Sequence, residues 1–139
     1  MEPPLYTVEP IGFVHSELTQ LEDAPMQGDE GAPDAWLELT TSAGPGLMGI
    51  RPGAELIVLT WLHLAQRDVL QVHPRGDPNR PLTGVFATRS PDRPNPIGLH
   101  RVSVLEVREQ KLRVAPLEAI DGTPIVDIKP VLAASISER

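Results

Sequence analysis

Leu99-His-Arg-Val-Ser-Val-Leu-Glu-Val-Arg108 and Lys111-Leu-Arg-Val-Ala-Pro-Leu-Glu-Ala119, separated only by Glu109-Gln110, decide the fold. Val102 and Val104 on one side of the turn match Leu112 and Val114 on the other, and in each pair the apolar residues skip one position. That is the two-residue period of strands, not the 3.6 of a helix. Two such runs around a short turn form a hairpin. Working outward, residues 7–14 hold Val8, Ile11, Phe13 and Val14 around Pro10 and Gly12, which reads as a first strand with a kink or bulge. Residues 36–40 read as a second. Residues 54–64 (AELIVLTWLHL) are the longest apolar run, and their β-branched and aromatic content reads as a central strand buried on both faces. Residues 85–87 and 125–132 complete the set.

Sixteen prolines and eleven glycines in 139 residues leave few windows in which a helix could run. Short strands without crossover helices pair antiparallel, and closing them into a barrel removes their exposed edges. The expectation is an all-β protein: a small antiparallel β-barrel with long irregular loops and few or no helices, in a single domain over 1–139. Residues 21–34 read as a loop, acidic and rich in glycine and proline, with Ala24-Pro25-Met26-Gln27-Gly28 at its centre. Residues 66–82 show neither period and are interrupted by Pro74, Pro78 and Pro81. A structureless stretch of that length inside a small domain is functional or mobile.

Composition removes several function classes. With no cysteine there is no disulfide framework and no thiolate metal site. His15, His63, His73 and His100 stand at irregular gaps with no acidic ligand pattern beside them, so no metal is expected. No apolar run approaches the roughly 18 residues that span a bilayer, and Met1-Glu-Pro-Pro4 lacks the basic-then-apolar order of a signal peptide. A cytoplasmic protein with no membrane partner is expected. The Gly-x-Ser-x-Gly elbow, the P-loop and the Gly-x-Gly-x-x-Gly fingerprint are all absent from the sequence, which weighs against hydrolase and dinucleotide-binding readings.

The net charge of −7 opposes indiscriminate attachment to a phosphate backbone. Yet Arg67, Arg75, Arg80, Arg89, Arg93 and Arg101 are half of the chain's twelve lysines and arginines, and only Asp68, Asp77 and Asp92 lie among them. An anionic partner is plausible there, although solvated loops also use arginine for solubility. The densest part is Gly84-Val-Phe-Ala-Thr-Arg-Ser-Pro-Asp-Arg-Pro-Asn-Pro-Ile-Gly98. Pro91, Pro94 and Pro96 fix their own φ and bias Ser90, Arg93 and Asn95 toward extended backbone. On that stiff support Arg89 and Arg93 offer planar forks of donors for a carboxylate, a phosphate or an aromatic face. A proline-rich surface loop with ordinary ion pairs would carry the same residues.

Asp121-Gly122-Thr123-Pro124 marks a tight turn, which suffices structurally; its main-chain groups would also suit an amino-acid moiety or a ribose, with Asp121 open to an ammonium. His63, at the end of the long apolar run, reads as a structural histidine or as a base at a barrel mouth.

GVFATRSPDRPNPIG at 84–98, WLH at 61–63, APMQG at 24–28 and DGTPIVDIKP at 121–130 together resemble the TsaA/TrmO-like family, over residues 11–132. The resemblance implies a small antiparallel barrel that binds S-adenosyl-L-methionine outside the Rossmann framework, as a homodimer with the cofactor near the subunit interface. It implies N6-methylation of threonylcarbamoyl-adenosine next to the anticodon of tRNA. Carried over residue by residue, cofactor contact falls on Pro25, Met26, Gln27, His63, Leu64, Arg89, Leu99, Asp121, Gly122, Thr123 and Pro124. Arg89 and Arg93 are the candidate catalytic residues, orienting the acceptor's carboxylate or phosphate. Methyl transfer is an in-line displacement, so alignment and electrostatics outweigh a strong base. Val131 stands where many members carry tyrosine, and aromatics are 4% of the chain. A methyltransferase of a small acceptor and a non-catalytic cofactor sensor therefore stay open beside the tRNA reading.

Overall fold

The computed structural model describes residues 2–19 and 31–132. Six strands close into an antiparallel barrel: β1 (Gly12–His15), β2 (Ala35–Leu39), β3 (Glu55–Trp61), β6 (Ile97–Arg108), β7 (Lys111–Ala115) and β8 (Pro124–Pro130). Around the wall the order is β1-β2-β7-β6-β3-β8, with β8 returning to β1. Two further short strands, β4 (Gln71–Val72) and β5 (Thr83–Gly84), form a separate ribbon outside the barrel. Single 3₁₀ turns at Gly44–Leu47, Pro74–Gly76 and Val85–Ala87 are the helical elements among the described residues.

The hairpin read from sequence is present, with Arg108 opposite Lys111 and Val104 opposite Val114. Glu109 takes the left-handed conformation that a two-residue hairpin loop requires, at φ 55°. Alternation then selects the core: Val14, Leu37, Leu39, Leu56, Val58, Val102, Val104, Leu112, Val114 and Ile125 all point inward and are buried. The register of β6 on β7 shifts between Val104 and Glu106, and that of β3 on β8 between Leu59 and Thr60. Each extra residue reverses the parity of the strand beyond it. On β6 the shift places Val107 opposite Leu112, on the core side, and lets Glu106 stand outside, in ion pairs with Arg113 and Arg108. Without the bulge Glu106 would face the interior.

Five sequence expectations change. The first strand, read over 7–14, runs only over Gly12–His15. The run 54–64 ends as a strand at Trp61, and its burial alternates rather than holding on both faces; Glu55 is exposed while Ile57, Leu59 and Trp61 are half-buried. A barrel has one interior, so the outward residues of β3 have no second layer to cover them. Residues 85–87 form a 3₁₀ turn instead of a strand, closed by the Thr88 amide on Val85 O. The strand begun at Lys111 stops at Ala115, because Pro116 has no amide to continue the ladder. Residues 66–82 are not structureless, since β4 pairs with β5 across them.

Leu37 and Leu112 face each other in the β2–β7 register and are wholly buried. Leu37→Ala should lower unfolding stability by about 2–5 kcal/mol in urea titration, as a cavity in a closed interior cannot collapse.

Candidate functional site

A cleft of about 990 Å³ opens at one end of the barrel. One wall is the barrel rim: Leu62, His63, Leu64 and Ala65 after β3, Ile97 to His100 at the start of β6, then Glu118, Ala119, Ile120 and Thr123. The other wall consists of the turn after β4 and the arginine-proline loop, with His73, Arg75, Arg80, Arg89 and Arg93 among its residues. The volume suits a ligand of cofactor size.

The arginine-proline loop is strapped down from both sides. Arg93 donates from Nε to Ser90 O at 2.8 Å and from Nη2 to Val85 O and Thr88 O, each at 2.6 Å. Its guanidinium thereby fastens the loop around itself. Thr88 Oγ1 also donates to Val85 O, and the Ser90 amide donates to Thr88 Oγ1. From the barrel end, Arg67 stacks 5.1 Å over the Trp61 ring and donates to Pro94 O and Asn95 Oδ1. The Leu62 amide donates to Pro96 O, and the Gln66 amide to Asp92 Oδ1. Arg89 differs: it is exposed on the cleft wall and has no partner among the described residues. The two arginines are chemically alike but differently employed, one building the loop and one presented by it.

Of the sequence-named residues, His63, Leu64, Arg89, Arg93, Leu99 and Thr123 meet on this cleft. Asp121, Gly122 and Pro124 lie off its lining and tie the turn to β1. Asp121 Oδ1 accepts from the Ser16 amide at 3.0 Å, the Gly122 amide donates to Val14 O at 2.7 Å, and Pro124 stands opposite Phe13. Gly122 sits at φ 84°, where a side chain would be strained. Thr123 is buried, its hydroxyl donating to Ile120 O. Pro25, Met26 and Gln27 lie outside the described residues.

A further group was not named from sequence. Under the cleft, Thr60 Oγ1 is 2.6 Å from His100 Nε2, and His100 Nδ1 is 2.5 Å from Glu118 Oε1. The side chains of His100 and Glu118 are 3% and 16% exposed, so this is a polar chain embedded in the barrel end. Eighteen residues separate His100 from Glu118, which hides the pair from any local spacing rule. One signal was present: Gly98, His100, Val102 and Val104 share a parity, so a buried Val102 puts His100 inside as well. Thr60 stands opposite Gly98, and that glycine makes room for the chain. A Cβ built on Gly98 would lie 2.5 Å from Thr60 Oγ1 and 2.8 Å from His100 Nε2. Among the described residues no group of three metal-ligating side chains is found, and no helix is long and apolar enough to cross a membrane.

These features define a small antiparallel barrel with a ligand-sized cleft at one rim, one wall arginine-rich and the other carrying a half-buried carboxylate. Residues 13–135 match the tRNA-methyltransferase O N-terminal domain family, and the chain belongs to it. It is 43% identical over 123 residues to a probable S-adenosyl-L-methionine-binding protein of Methanothermobacter thermautotrophicus, covering 88% of each chain. It is likewise 43% identical over 122 residues to an S-adenosyl-L-methionine-binding protein of Archaeoglobus fulgidus, covering 88% of this chain and 86% of the relative. Among solved structures it is similar to TrmO from Pseudomonas aeruginosa, with a TM-score of 0.75 and 28% identity. That match covers 99% of this chain and 61% of the solved one, so this chain spans about three fifths of it.

Gly98→Ala should force the Thr60–His100 contact apart and cost roughly 1–3 kcal/mol of stability, as overpacking of a full site does. Denaturant titration together with the His100 ring resonances in NMR checks both effects. An unshifted His100 signal in a stable variant would contradict the crowding.

Proposed function

We propose that this protein binds S-adenosyl-L-methionine in the rim cleft and transfers its methyl group to an acceptor on tRNA, the N6 atom of threonylcarbamoyl-adenosine beside the anticodon. The observation that carries this reading is the convergence of His63, Leu64, Arg89, Leu99 and Thr123, from four separate segments of a family member, on one cleft of cofactor size. The residues fit the group chemically: main chain and apolar side chains at the rim for a nucleoside, arginines for carboxylates, and Glu118 for positive charge.

The donor supplies an electrophilic methyl on a sulfonium. What the chain's own residues contribute is placement and field. Leu64, Ile97 and Leu99 keep about half of their surface exposed at the rim, where a bound molecule would cover it and exclude water. Arg89, unpaired among the described residues, is the donor fork we assign to the acceptor's carboxylate or phosphate. Arg93 acts by holding the loop that presents Arg89. With reactants aligned, most of the acceleration comes from orientation, and the carbonyl next to the acceptor nitrogen eases loss of its proton. We also propose a homodimer, in which a second copy covers the exposed Leu70, Leu82 and Phe86 around the outer ribbon; a monomeric mass in sedimentation would remove it.

A second reading has its own support. The net charge of −7 and the scarcity of aromatics for base stacking suit a small acceptor as well. Incubating the protein with labelled donor and bulk tRNA from a strain lacking it decides between them. Transfer to tRNA yielding a new methylated nucleoside, and falling steeply with salt, is the expected result. Label on a small acceptor without salt dependence would favour the second reading. Tight donor uptake with no turnover in any extract would leave a sensor. Arg89→Ala should lower transfer to tRNA by more than about tenfold, the scale of a lost charge-assisted contact.

A further inference from the structure

The chain Thr60–His100–Glu118, buried at Thr60 and His100 and half-buried at Glu118, is more than the barrel needs to stand, because an apolar trio would fill that end without drawing a carboxylate partly out of water. Its outermost member is directed to the cleft. Glu118 Oε1 accepts a hydrogen bond from His100 Nδ1. Among the described residues Oε2 has no partner, and no buried side-chain polar atom is left unsatisfied, so Oε2 is open to the cleft that Glu118 lines. Its single ionic partner among those residues is His100, whose far nitrogen is held in turn by Thr60. The loop wall carries Arg80, Arg89 and Arg93 and repels cations; Asp92, also on the cleft, has Oδ1 bound by the Gln66 amide and stands within that arginine-bearing loop, where its charge is offset. A positively charged group entering here meets in Glu118 the carboxylate on the barrel side of the lining, with an unused oxygen and an orientation fixed through His100.

We infer that Glu118 is the residue that recognises the positive charge of the methyl donor, and that His100, braced by Thr60, is its positioning residue. This rests on the donor-binding reading above and deepens it by naming the group that discriminates charge. Two cationic centres share that chemistry, the sulfonium and the ammonium, and three ligands separate them. S-adenosyl-L-homocysteine keeps the ammonium and lacks the sulfonium charge. 5′-Methylthioadenosine lacks both.

The test is calorimetric titration of the full chain with S-adenosyl-L-methionine and these two compounds. Glu118→Gln, nearly isosteric, should weaken S-adenosyl-L-methionine by roughly tenfold or more while leaving 5′-methylthioadenosine unchanged, the latter showing that the fold and the nucleoside site survive. An equal loss for S-adenosyl-L-homocysteine assigns the contact to the ammonium; a loss confined to S-adenosyl-L-methionine assigns it to the sulfonium. His100→Asn, which keeps a donor near the Nδ1 position, should retain most of the affinity that His100→Leu loses. Unchanged affinity in Glu118→Gln overturns the inference, as does an equal loss across all three ligands, or a loss of charge discrimination in Asp92→Asn in its place. Equal behaviour of the two His100 variants overturns the positioning role. If the unaltered protein takes up none of the three compounds, the donor-binding reading falls, and this inference with it.

Discussion

A closed barrel has one interior, and each strand must give it residues of a single parity. That constraint organises nearly everything here. It makes Val102 and Val104 core residues and, by the same count, carries His100 and Gly98 into the barrel end. Where the chain's alternation would put a charge inside, the backbone adds a residue: the shift after Val104 keeps Glu106 outside, and the shift beside Thr60 does the same for Asp127, whose carboxylate pairs with Lys129 at 3.6 Å. Bulges bend strands as well as resetting them, so the irregularities that protect the core also curve the wall toward closure between β8 and β1.

At the cleft end the same parity brings polar groups inward, and the structure compensates by linking them. His100 has both ring nitrogens in short contacts, to Thr60 and to Glu118. In low dielectric a satisfied polar chain is rigid, whereas each unpaired member would cost about 1–3 kcal/mol. Gly98 makes this linkage possible by leaving space that any side chain would fill. The facing loop is stiffened by other means. Three prolines limit its backbone, and Arg67 and Arg93 tie its carbonyls to the barrel and to itself. The cleft therefore lies between two walls that are both set before anything binds, which lowers the ordering cost of recognition.

How much was legible in the sequence depended on range. The β6–β7 hairpin was legible because its period and its turn lie within adjacent residues. The arginine-proline loop was legible because three prolines restrict the backbone wherever they occur, and its family resemblance placed His63, Leu64, Arg89, Arg93, Leu99 and Thr123 on the cleft with it. Burial of residues 54–64 was misjudged because composition alone cannot tell a strand between two layers from one with half-buried outward residues. The β4–β5 ribbon escaped notice because two-residue strands carry no measurable period. Glu118 was missed for a deeper reason: its meaning depends on a partner on β6, and no spacing rule connects 100 with 118. The differing uses of Arg89 and Arg93 were equally closed to sequence, since both sit in the same motif and only the carbonyls around Arg93 separate them.

The cleft of this acidic protein has a local charge unlike the chain's total. Net charge governs approach from a distance, but at physiological ionic strength fields decay over about 8 Å. Within that range a ligand at the rim meets the local set, not the total of −7. That set is divided: the loop wall carries Arg75, Arg80, Arg89 and Arg93 against the single carboxylate of Asp92, and the barrel wall carries the carboxylate of Glu118. A uniformly basic cleft would hold any polyanion and would repel a cationic methyl donor. A divided one suits a molecule or a pair of molecules bearing both signs, and it orients them, because reversing the ligand places like charges together on both walls. Orientation is what an in-line transfer most requires. The separation of charge across the cleft is thus the electrostatic counterpart of its mechanical stiffness, each limiting the poses a bound molecule can take.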